Sequence, residues 1–193
     1  SIAMVKLKPA KNYLKEFFAI AQDAVCYQEN DIMLGLRYLN DLARKQGMPL
    51  VICVALGTSF GGHNGDSLLA DILDIYATVR NRCVVVGTGN EAARRHHYFN
   101  RFTDAQDTRT AEIRVGEGTQ SFAVELWSTL PNIVMVSVTS PSGERTGMIP
   151  IRLGYLFDFS FTFERTTITV EYRLLQRNND AQLVFIRFQN AVP

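Results

Sequence analysis

A disulfide framework is the first thing this sequence excludes: its 193 residues hold three cysteines, Cys26, Cys53 and Cys83, an odd number with no CxxC pair. Cys53 and Cys83 lie in apolar runs, where a thiol behaves as a small hydrophobe, so buried free thiols are expected. Long apolar runs are also missing. None approaches the roughly 20 residues that cross a bilayer, and Ser1–Leu7 lack the pattern of a secretory signal, so the expectation is a soluble chain with no membrane partner. Charge of one sign is scarce too: 20 Lys and Arg against 19 Asp and Glu leave +1, too weak a field to gather nucleic acid or acidic substrates.

What is present is core material. With 47% hydrophobic and 20% charged residues, disorder and collagen-like repeats are excluded, and the length fits one large domain or two modest ones. The first residue is Ser1, and the apolar run Ile2–Val5 follows at once, which reads as a chain cut inside a strand. All five lysines precede position 46, and the C-terminal stretch is rich in Phe, Thr and Val, a shift that suggests two units meeting near residue 103.

In the first unit, Ile32, Leu36, Leu39 and Leu42 recur at helical spacing after the candidate caps Asn30 or Asp31, and Gly47 stands at a C-cap position, so residues 31–46 are expected to be helical. Residues 49–56 (PLVICVAL) form a continuous apolar run, the pattern of a parallel strand buried on both faces. A glycine-rich loop follows over 57–65. Leu69, Ile72, Ile75, Tyr76 and Val79 mark a second helix starting near Asp66 or Ser67, and Cys83–Val86 a second buried strand, giving a strand–helix–strand unit with a right-handed crossover. After Thr103 the period moves toward 2, at Ile113 and Val115, at Phe122, Val124 and Leu126, at Val134, Val136 and Val138, and at Phe157, Phe159, Phe161 and Phe163. Turn signals at 116–118, 131–132, 141–143 and 178–180 separate these runs, so six to eight short strands of a β-sandwich or jelly roll are expected.

The segment most suggestive of chemistry is 84–91 (VVVGTGNE), a buried strand ending in small residues, free backbone N–H groups and one amide side chain. Gly87, Gly89 and Ala92 match the dinucleotide fingerprint G-x-G-x-x-A, which is weak alone. Residues 92–101 (AARRHHYFNR) carry no apolar stripe with which a helix could pack, which counts against it. The other reading is that Asn90 donates its amide to a developing oxyanion in acyl transfer. Tight turns after buried strands would also account for the glycines.

The stretch 55–91 (ALGTSFGGHNGDSLLADILDIYATVRNRCVVVGTGNE) resembles the central part of a subtilisin-like serine protease. Ala55-Leu56-Gly57-Thr58 stands where that family has a Ser-Leu-Gly-Gly-type loop, and Thr88-Gly89-Asn90-Glu91-Ala92 where it has Ala-Gly-Asn-Glu-Gly; Ala55, Thr58 and Ala92 depart from the pattern. Residues 5–9 (VKLKP) and 26–31 (CYQEND), with Gly89-Asn90-Glu91 and His96-His97-Tyr98, resemble clostridial subtilases, among them the germination-specific proteases of spores. The resemblance implies a partial α/β core over 1–103 and a jelly-roll-type β insertion over 104–193. It implies Asn90 as oxyanion donor, the backbone of Leu56, Gly57 and Thr58 pairing with a peptide substrate as an added strand, and Gly87, Thr88 and Gly89 lining the opposite wall.

A subtilase also needs Asp, His and Ser. No Asp-Thr-Gly or His-Gly-Thr motif precedes Ile32, and Gly57-Thr58-Ser59 is followed by Phe60-Gly61-Gly62 rather than Met-Ala and a helix, so Ser59 is not expected to be the nucleophile. The expectation is a middle piece of a serine endopeptidase, inactive by itself, whose partial sheet exposes edges through which copies could associate. A pseudoprotease that senses a partner and a nucleotide-binding α/β module stay open as alternatives. His63, His96 and His97 lack the spacing of one metal site, Asp104, Asp107, Glu112, Glu117 and Glu125 form no calcium loop, and no cofactor is called for. Trp127 reads as core or sheet surface, and the β half as packing on the α/β half or meeting a partner.

Overall fold

A computed structural model describes residues 1–175 and 180–191, so the turn expected at 178–180 lies largely outside the described residues. The elements run α1 (Asn12–Phe17), α2 (Glu29–Lys45), β1 (Leu50–Val54), α3 (Leu68–Thr78), β2 (Arg82–Val86), β3 (Ser121–Thr129), β4 (Leu156–Phe161), β5 (Thr166–Leu175) and β6 (Ala181–Asn190). A parallel pair of strands with helices and an antiparallel sheet make a mixed α/β architecture.

In α2, acidic Glu29 and Asp31 in the first turn and basic Arg44 and Lys45 in the last complement the helix dipole. The helix begins two residues before the expected start, and its cap Gln28 makes no side-chain capping bond, its amide instead accepting from Lys11 N at 3.3 Å; at its far end Gly47 N donates to Arg44 O and Met48 N to Ala43 O, the closing pattern expected of that glycine. Ser67 caps α3, its Oγ accepting from Ala70 N at 3.1 Å. Strands β1 and β2 pair in parallel, Leu50 opposite Arg82 through Val54 opposite Val86. Leu36, Ile52 and Val54 form the core there, with Ile72, Leu73 and Val84 against it.

Among the described residues, nothing covers the other face of this pair. Val51 is 68% exposed, and Cys53, Cys83 and Val85 are exposed beside it, so neither burial on both faces nor buried thiols is observed. A two-stranded sheet covered by helices on one side has no second layer for the other side's apolar residues. The apolar start of the chain likewise forms no strand; Val5 rests instead 3.2 Å from where a Cβ of Gly35 would sit on α2, and the first pairing is the bridge between Pro9 and Tyr27.

The second sheet has the order β3-β6-β5-β4, antiparallel throughout. The expected alternation holds at Phe122, Val124 and Leu126 and at Phe157, Phe159 and Phe161, which turn to one core with Ile168, Val170, Tyr172, Val184, Ile186 and Phe188; Phe163 falls in the turn after β4 and is exposed. Four strands stand among the described residues where six to eight were expected. Ile113 and Val115 lie outside any strand, and the 134–149 stretch pairs only through the bridges Val136–Ile149 and Thr139–Arg145. Side chains take over much of the backbone pairing there: Val134 is held by Gln182, Val136 N–H by the Tyr172 hydroxyl at 3.1 Å and Val138 N–H by Thr146 Oγ1 at 3.0 Å.

Fully buried Tyr172 also donates its hydroxyl to Ile149 O at 2.9 Å. Tyr172→Phe leaves both backbone partners short of a bond and is expected to cost about 1–3 kcal/mol in urea unfolding. Burial raises the phenol pKa above its usual 10.0, the Val136 N–H opposing it in part. The folded state therefore favours the neutral phenol; this contribution is whole below about pH 10 and is lost as pH rises through the folded value. The stability of Tyr172→Phe should fall less steeply above pH 10.

The opposite face of the sheet is not left to solvent. The Phe17 ring of α1 stacks on Phe185 at 5.4 Å, with the Arg173 and Arg187 guanidiniums 5.7 and 5.5 Å from its centre. Phe18 meets Phe185 edge-on, and Ser121 Oγ donates to Ala19 O at 3.1 Å, so a six-residue helix joins the N-terminal segment to the second sheet.

Candidate functional site

Because β1 and β2 run parallel, the loops that follow them leave the same edge of the sheet. Gly87 N donates to Val54 O at 3.1 Å, carrying the pairing one residue past the strands and setting the bases of the two loops side by side. Leu56, Gly57 and Thr58 follow β1; Gly87, Thr88, Gly89 and Asn90 follow β2; all seven are exposed. Gly89 has φ +77°, a left-handed turn that a side chain would strain, and it aims the chain from β2 into Asn90.

Downstream, Glu91 receives Arg94 at 3.1 Å and lies 3.7 Å from His96, pinning a single 3-10 turn, Ala92–Arg94. That turn replaces the long helix a dinucleotide fingerprint requires. His63 and His97 have ring centroids 5.0 Å apart, a pairing that their spacing in the sequence does not reveal. His63 Nε2 lies 3.2 Å from the backbone carbonyl of Ser59, so the histidine close to this serine engages its main chain. The next helix opens only at Leu68, nine residues on, as expected if Ser59 does not open a nucleophile helix.

No protein-family model matches the chain, and no curated protein matches its sequence. The chain is similar in fold to the Clostridium perfringens CspB protease. The TM-score is 0.74 with 23% identity, over 88% of this chain and 36% of the CspB protease chain. The chain thus spans about a third of the length of that protease, and at this identity the likeness is one of fold.

The loop after Thr58 is more tightly held than its glycines suggest. Thr58 Oγ1 accepts from Phe60 N at 3.0 Å, Phe60 packs on Phe18 at 5.3 Å, and Gly61 N donates to Glu125 Oε2 at 2.7 Å. A hollow of about 180 Å³ lies between Thr58 and Ser67. Glu125 and Phe18 were missed by sequence reasoning as contributors here. The signal that could have found Glu125 is its place beside Trp127 on the non-core face of β3, where a half-buried carboxylate must find donors.

Proposed function

We propose that this chain supplies the substrate-facing centre of a subtilisin-like serine endopeptidase, residues 1–103 as part of its α/β core and 104–193 as a β insertion of jelly-roll type. Asn90 donates its amide hydrogen to the oxyanion as it forms. The backbone of Leu56, Gly57 and Thr58 pairs with an extended peptide, and Gly87, Thr88 and Gly89 form the opposite wall. Asp, His and Ser of the triad belong to other parts of the full-length protein, and these residues alone hydrolyse no peptide.

The observation that carries this reading is the shared edge: two loops of the expected composition leave adjacent parallel strands in the order strand, loop, helix, strand, loop. The fold likeness to a protease agrees with it. The test is peptide hydrolysis by the full-length protein with Asn90 intact or replaced by alanine. A kcat that ignores the replacement removes Asn90 from the mechanism.

A further inference from the structure

We propose that Glu125 is a positioning residue for the loop that extends the substrate-pairing segment, acting through the amide of Gly61; this rests on the protease reading above. One carboxylate oxygen, Oε2, accepts both Gly61 N–H at 2.7 Å and the Trp127 indole N–H at 3.0 Å. The two donors come from segments far apart in the chain, and bonds to an ionised acceptor are about twice as strong as neutral ones. Trp127 lies two residues from Glu125 on the same face of β3, so its indole steers the carboxylate toward the loop.

The loop is shaped to meet this carboxylate. Gly61 has φ +109°, a conformation side chains avoid, and a Cβ on Gly62 would lie 3.5 Å from the Trp127 ring. Phe60 is held at the same time by Phe18, which packs on Phe185 of β6. Two consecutive residues are therefore tied to the second sheet, and the Thr58 hydroxyl bonded to Phe60 N–H passes that position to the end of the Leu56–Thr58 segment. The second sheet thereby decides where the strand edge offered to a peptide sits.

The test uses the full-length protein with Glu125→Ala and Glu125→Gln, followed by amide hydrogen exchange without substrate and by kinetics on an extended peptide. In Glu125→Ala the Gly61 amide should exchange roughly tenfold faster and KM rise roughly tenfold, with kcat within about twofold. Glu125→Gln keeps a neutral acceptor and should hold both changes to about two- to fourfold. Unchanged Gly61 exchange in either folded variant overturns the proposal, as does faster exchange with an unmoved KM. If Glu125→Ala does not fold, Glu125→Gln decides by the same two readings. Exchange needs no catalysis: a loosened Gly61 in a protein whose kcat ignores Asn90→Ala supports the hold on the loop and overturns the protease reading.

Discussion

Alanine at position 90 in the full-length protein is expected to lower kcat by about 10² to 10³ while KM changes less than about twofold. The asymmetry follows from when the amide acts. A ground-state carbonyl gains little from a donor placed where the oxyanion will be, so binding barely depends on Asn90, whereas the charge that develops on attack depends on it by about 3–4 kcal/mol. Asn90→Asp should be worse, since its carboxylate offers an acceptor where a donor is needed. Steady-state kinetics on one peptide separates these outcomes. An equal rise in KM with kcat preserved would instead make Asn90 a binding residue.

Replacing Gln182 by alanine should cost about 3–5 kcal/mol in thermal or urea unfolding. The residue is fully buried in β6, and its amide does what a neighbouring strand would do for Val134, accepting from its N–H at 2.6 Å and donating to its C=O at 3.0 Å. Ser128 Oγ adds a third bond at 3.1 Å. Truncation leaves Val134 with both backbone groups short of a partner and opens a cavity between β6 and the Val134 segment. Gln182→Met keeps most of the volume without either hydrogen-bonding group and adds no charge, so a comparable loss would assign the effect to hydrogen bonding. A loss below about 1 kcal/mol would show that Val134 finds other partners.

How far the sequence could be read depends on which part of the physics decided each element. Helix α2, strands β1 and β2 and the cap Ser67 are governed by local periodicity and end chemistry, and their observed bounds fall within about two residues of those expected. The phenylalanine alternation also named the core face of β4 correctly up to Phe161. Exposure of Cys53 and Cys83 was unreadable because an apolar strand does not say whether anything covers its second face. The run Val134, Val136, Val138 alternates like a strand, but its backbone partners include the Thr146 side chain and, from distant positions, those of Gln182 and Tyr172, a pairing no local pattern encodes. Helix α1 is six residues long and is held by Phe185, so its propensity alone could not announce it. At the candidate site, composition marked Asn90 and the two loops, while the tie from Glu125 to Gly61 arises only from tertiary proximity.

The strand order carries a consequence for synthesis. Strand β6, the last of the described strands in chain order, is the one between β3 and β5, so β3 gains its sheet partner only once Ala181–Asn190 have emerged. The β4–β5 hairpin can form earlier, its strands separated by only a short turn. Until β6 arrives, Glu125 has no sheet to hold it, and Phe17 has no Phe185 on which to stack. The α/β segment is therefore made before the strand that braces it. A nascent chain stalled before residue 181 should leave the 58–67 loop open to protease cleavage, with protection appearing only once β6 is complete.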